Sequence, residues 1–215
     1  MRRRHLLGFT LIELMVAIAA MALLAMMSWR GLDGMTRAQT VTQARGDAVL
    51  TLQTTLSQWA TDLDATIVLT QLQPIDWSGS ALRITRRGGD STRPTVVVVA
   101  WALRTDAATG TQWRRWQSPE VTTRADWQQA WERAATWAQD GGSGAGGAEL
   151  VLMPLESWQL SYFRNGVWTP AVNAEGMANA IPDGIRLVLN LPPGNGLTGV
   201  LTRDWVRPTA AVPKS

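Results

Sequence analysis

The sequence predicts an α+β protein in which a long N-terminal helix, first membrane-spanning and then amphipathic, packs on antiparallel β-sheets. Three observations predict it. Residues 9–27 are apolar with a single charge, residues 36–63 carry apolar side chains at helical spacing, and the remainder breaks into short β-branched and aromatic runs separated by Gly-containing turns.

The apolar stretch comes first in the chain. At about 1.5 Å per residue, residues 9–27 are long enough for the roughly 30 Å hydrocarbon core of a bilayer. Arg2, Arg3 and Arg4 precede it, and Arg30 is the first cation after it. That asymmetry places a short N-terminus in the cytoplasm and the rest of the chain across the membrane. A secretory signal has a shorter apolar region ending in small residues, a role that Ala22-Leu23-Leu24-Ala25 fills less well. Trp29 and Arg30 suit the membrane edge, and Gly31 and Gly34 are residues that could loosen the helix there. Beyond them Val49, Leu52, Leu56, Trp59 and Leu63 form one helical stripe, which needs a sheet to cover it.

Strand-like runs follow at 81–86, 95–104 and 111–117, punctuated by Gly88-Gly89 and Thr109-Gly110. Together they read as an antiparallel meander. A second group runs from Glu149. It comprises 157–163, the hairpin signal Asn165-Gly166, 167–169, and a further hairpin from 185–191 to 197–206. Between the groups, about residues 120–148, lies an apparent insertion: a helical pattern over 123–139, with Trp127 and Trp131 one turn apart, then a Gly-rich linker at 141–147 that reads as flexible. Five of the chain's twelve tryptophans, Trp113, Trp116, Trp127, Trp131 and Trp137, fall in this middle region, where they serve either as core or as a docking surface.

Composition narrows the chemistry. The net charge of +3 is carried by the three arginines of the first four residues; without them seventeen basic residues face seventeen acidic ones, and a nucleic-acid partner is not expected. Arg86-Arg87 and Arg114-Arg115 lie on strands, so each pair points to opposite faces instead of forming a phosphate site. Cysteine is absent, His5 is the single histidine and Lys214 the single lysine, which removes the commonest general base, thiol nucleophile and zinc ligands. No Gly-x-Ser-x-Gly elbow occurs, and Glu156 and Glu175 make no evident carboxylate pair. Asp62 and Asp64, and Asp183 before a glycine, lack the alternating ligands of a calcium loop and read as solvated surface. No enzyme activity, no metal and no cofactor is expected.

Gly8-Phe9-Thr10-Leu11-Ile12-Glu13 closely resembles the cleavage motif of type IV prepilins and type II secretion pseudopilins. The resemblance implies a pilin-like fold, a leader over residues 1–8, a membrane and assembly helix over 9–29, and a periplasmic domain over 30–215. It also implies that prepilin peptidase cuts between Gly8 and Phe9 and methylates the new amine of Phe9. An ionisable group in a membrane segment costs about 2.5 kcal/mol or more, so Glu13 either reaches the headgroup region from its place near the cytoplasmic end or needs a partner. In this family the partner of the residue matching Glu13 is the N-terminal amine of a neighbouring subunit.

Four further segments resemble the J-type minor pseudopilin of type II secretion systems: Ser28-Trp29-Arg30-Gly31-Leu32-Asp33, Leu82-Arg83-Ile84-Thr85-Arg86-Arg87-Gly88, Gly110-Thr111-Gln112-Trp113-Arg114 and Ile181-Pro182-Asp183-Gly184-Ile185. The Trp-rich insertion departs from that pattern. The resemblance implies I- and K-type minor pseudopilins and the major pseudopilin as partners, and an inner-membrane subunit that joins the pseudopilus tip to support protein export. A minor pilin of a type IV pilus, acting in priming, adhesion or DNA uptake, is the alternative. A membrane-anchored periplasmic enzyme or binding protein is a third.

Overall fold

The computed structural model describes residues 9–89, 95–140, 146–171, 180–194 and 196–208. The chain divides into two units, Met1–Gly46 and Asp47–Ser215. One helix, α1 (Leu11–Asp64), contributes to both. Loosening at Gly31 and Gly34 does not occur: both lie inside α1. Glycine costs about 1 kcal/mol in a helix interior but keeps its backbone hydrogen bonds. The local turn is also braced by the Arg37–Asp33 ion pair, 3.0 Å long, between side chains one turn apart.

The first unit holds the apolar part of α1, whose large apolar side chains are exposed from Leu11 to Met27. The second holds the C-terminal part of α1, a second helix α2 (Arg124–Asp140) and two antiparallel sheets. Sheet A runs in the order β1 (Ile75–Trp77), β2 (Ala81–Gly88), β3 (Thr95–Asp106), β4 (Gly110–Gln117), β5 (Ala148–Pro154). Sheet B runs β7 (Val167–Pro170), β6 (Ser157–Arg164), β8 (Gly184–Leu191), β9 (Gly199–Val206). The β6–β7 turn is as the sequence predicts. Asn165 and Gly166 both take positive φ, 51° and 82°, which is the requirement of a type I′ hairpin.

Two strands escape the sequence reading. β1 is three residues long, too short for a periodic signal. β5 belongs with the first sheet instead of opening the second group, because it returns after α2 to pair with β4. The segment read as an insertion connects these two neighbouring antiparallel strands, and its helix covers the second face of sheet A. Thr123 opens α2: its hydroxyl accepts from the Asp126 amide at 3.1 Å and donates to the Asp126 carboxylate at 2.8 Å. That satisfies one of the backbone donors every helix start leaves free. Of the Gly-rich linker, residues 141–145 lie outside the described residues. Gly147 has a packing reason to be glycine, since a Cβ there would stand 2.6 Å from Trp116 Nε1.

The two faces of sheet A carry two cores. On one face, alternate residues Leu82, Ile84, Val99, Trp101 and Trp113 join Leu52, Trp59 and Leu63 of α1 and the inner residues of sheet B, from Trp158 to Trp205. Trp59 is the hub, with ring centroids 5.3 Å from Trp101, 5.6 Å from Trp113 and 6.0 Å from Trp158. On the other face Ala81, Val98, Ala100 and Ala102 leave room for the large rings of Trp116, Trp127, Trp131 and Trp137. Ala130 and Ala134, fully buried on α2, let the helix approach closely. The five tryptophans considered for a docking surface are thus buried, and core filling is the reading the fold selects. Indole bulk on the helix is matched by alanine on the strands, as close packing demands.

Asp62 departs most from expectation. It is not solvated surface: it is 0 % exposed, at the last turn of α1. Arg115 of β4 grips it with two bonds, 2.7 and 2.9 Å, Arg86 of β2 forms a second ion pair, and Trp101 Nε1 of β3 and Gln58 Nε2 donate at 2.9 and 3.0 Å. A charge out of water demands such saturation. The arginine pairs do split between faces as strand geometry requires. Arg115 and Arg86 turn to Asp62, whereas Arg114 reaches Glu149 at 2.8 Å and Arg87 is exposed.

Asp62→Ala would leave Arg86 and Arg115 facing each other without their shared anion. The expected cost is about 3–5 kcal/mol, read as a lowered urea midpoint by tryptophan fluorescence. A smaller electrostatic contribution ties β5 to α2. Partial burial pushes the Glu149 carboxyl up, but its bonds from the Trp137 indole and Arg114, with the charge of Arg104, outweigh that and hold it below the ordinary glutamate value. A depressed folded-state pKa means its stabilisation is present above that ordinary value and is lost as the pH falls through the depressed one. Acid titration followed by near-ultraviolet circular dichroism is expected to show that loss, and Glu149→Gln to flatten it.

Candidate functional site

The candidate site is the start of α1. Gly8 lies outside the described residues; Phe9 is the first described one and is exposed. Thr10 is the N-cap and α1 begins at Leu11. Helix starts leave backbone N–H groups without intrahelical partners, and Thr-x-x-Glu is a sequence that satisfies them reciprocally. Here the Glu13 amide lies 3.4 Å from Thr10 Oγ1, while Glu13 Oε2 accepts from the Thr10 amide at 3.4 Å and its hydroxyl at 3.3 Å. These are long bonds, at the upper limit of hydrogen-bond range.

Sequence reasoning missed this capping box, although its signal, Thr10 three residues before Glu13, is visible there. It gives Glu13 a partner within its own chain. The negative carboxylate also sits at the positive end of the helix dipole, a favourable placement. All its bonds use one oxygen, Oε2; among the described residues Oε1 makes none. The acid is therefore held at the helix mouth, near Phe9 in the chain, with an acceptor still open.

The helix that follows is long and apolar enough to cross a membrane, and none of its most apolar window is buried by protein. Leu11, Ile12, Leu14, Met15, Val16 and Ile18 are all exposed, so apolar surface surrounds Glu13 on every side of the helix. In water such a surface is unfavourable by about 25 cal/mol per Å²; lipid or apolar helices relieve it. A single apolar N-terminal helix of this kind fits a membrane-anchored protein.

Elsewhere, the side chains weighed for chemistry are occupied by structural partners. Asp64 accepts from Trp205 Nε1 at 2.8 Å, Asp183 from Arg207 at 2.6 Å and Glu156 from Asn190 at 2.8 Å. Asp62 is closed off by its arginines. Glu175 and Lys214 lie outside the described residues. Among the described residues no group of three or more acidic, His or Cys side chains is placed to hold a metal ion.

Residues 3–29 match the prokaryotic N-terminal methylation motif. A comparison with curated proteins gives no match. The motif match spans Gly8, Phe9 and Glu13 and supports a type IV pilin-like protein in general. It implies processing by a prepilin peptidase and pilus-type assembly.

Proposed function

We propose that this chain is a non-enzymatic minor pseudopilin of a type II secretion system, of the J type, cut between Gly8 and Phe9 and methylated at Phe9. It remains in the inner membrane through α1, with the second unit in the periplasm, and then enters the pseudopilus tip beside I- and K-type partners and the major pseudopilin. The observation that carries this reading is the N-terminal methylation motif continuing without a break into a helix whose far end packs on antiparallel sheets. A removable export signal needs no such continuity. An assembly handle does, because the segment that enters the fiber must stay joined to the domain it carries.

Absence of cysteine favours the secretion branch over a type IV pilus, whose minor pilins often carry a cysteine pair. Glu13 is assigned the assembly role. Its open carboxylate oxygen accepts the Phe9 amine of the neighbouring subunit, and the ion pair offsets the cost of an acid among apolar side chains.

Coexpression with a prepilin peptidase is expected to shorten the chain by the leader, residues 1–8, measured by intact mass, and Gly8→Ala to block the change. An unaltered mass beside an active peptidase would rule out processing. Glu13→Ala is expected to be cut normally but to be depleted from sheared fibers at least tenfold; wild-type incorporation would remove the role given to the carboxylate. Deletion of the gene in its host separates the two branches, by loss of secreted proteins or by loss of surface pili.

A further inference from the structure

Among the described residues four strands lie at sheet edges, and an open edge is a template for another chain unless something blunts it. β1 has three residues, and β7 has four and ends in Pro170. β5 is irregular, with a register shift against β4, and its acid Glu149 is held by Trp137 and Arg114. β9 differs from all three. It pairs with β8 in continuous register along its whole length, from Gly199 opposite Leu191 to Val206 opposite Gly184. Its other edge has no strand partner among the described residues.

The side chains of β9 say what that edge accepts. Val200 and Val206 are 72 % and 66 % exposed on the face away from the core. On the core-facing side Leu201 and Trp205 pack inward, with Arg203 exposed between them. Asp204 is neutralised by Arg186 through two bonds, 2.8 and 2.7 Å. Arg203 pairs with no acid among the described residues, so the edge presents one uncompensated positive charge framed by apolar groups.

A second copy fits poorly. Antiparallel two-fold pairing centred on Arg203 sets that residue against itself, and centring on Asp204 does the same for the acid. Like charges directly opposite are destabilising. Centring on Thr202 sets Leu201 against Arg203 and Val200 against Asp204, and centring on Leu201, which avoids these clashes, pairs only Gly199 to Arg203 and leaves Asp204, Trp205 and Val206 outside the ladder. From these contacts we infer that β9 is a strand-addition site that takes an extended, acidic segment of a different chain and rejects a second copy of this one. The recognised segment has aliphatic residues opposite Val200, Leu201, Trp205 and Val206, and a carboxylate opposite Arg203. Main-chain bonds supply affinity, and Arg203 supplies the choice of partner.

The test uses the full chain in lipid nanodiscs and a capped peptide, Val-Val-Thr-Glu-Thr-Val-Val, with a Lys-for-Glu version as control. The acidic peptide is expected to slow hydrogen exchange across β9 and to bind about fivefold more tightly than the basic one, the effect of one cross-strand charge pair. Arg203→Glu, a change at an exposed side chain, is expected to invert that preference with unchanged near-ultraviolet circular dichroism. A peptide with the β9 sequence is expected to bind more weakly than the acidic one. Absence of protection at β9 would mean that Arg203 only guards the edge and would overturn the proposal, as would equal affinity for both charged peptides in the wild type and in Arg203→Glu.

Discussion

The second unit depends on one buried carboxylate. Asp62 joins the last turn of α1 to β2, β3 and β4 through Arg86, Trp101 and Arg115, so three neighbouring strands and the helix share a single anchor. A hydrophobic stripe alone fixes which side of a helix faces a sheet, but lets it slide. A charge that must meet two guanidinium groups and an indole N–H fixes where along its axis the helix stops. Trp59, one turn before Asp62, then falls at the meeting point of Trp101, Trp113 and Trp158 and links both sheets in one core.

The other face of sheet A is closed by a different device. Parallel sheets are usually covered on both faces, but an antiparallel sheet does not require it. Here the β4 to β5 connection folds α2 back over strands lined with alanine, and Arg83 and Arg104 lie against the rings of Trp131 and Trp137. Covering both faces leaves the central strands of sheet A no apolar surface to offer, and exposed aliphatic groups of the sheets remain at edge strands, such as Val151, Val167 and Val200. Of those edges, β9 is the one whose recognition chemistry is left unsatisfied.

At its other end α1 meets a different problem with a related solution. Glu13 lies among side chains that only lipid or another apolar helix would cover, and the first partners it finds are the amide and hydroxyl of Thr10. The capping box lowers the cost of carrying an acid in an apolar segment while leaving one oxygen open. One helix thus holds an acid at each end: Asp62 saturated and structural, Glu13 half satisfied and available.

Much of this was written locally in the chain. The apolar run, the Gly8 to Glu13 motif, the Leu52, Leu56, Trp59 and Leu63 stripe, most strands and the Asn165-Gly166 turn follow from short-range periodicity and backbone preference, which neighbouring residues alone decide. What the sequence left open depended on partners far away in the chain. Asp62 reads as surface until Arg115, far along the chain on β4, is placed beside it; the Trp127 to Trp137 cluster reads as core or interface until the alanines of β2 and β3 make room; and β5 has no address until α2 has folded over. Periodicity reports which face of an element is apolar. Only tertiary structure decides what that face meets, because burial of a charge or a ring is a property of the pair and not of the residue.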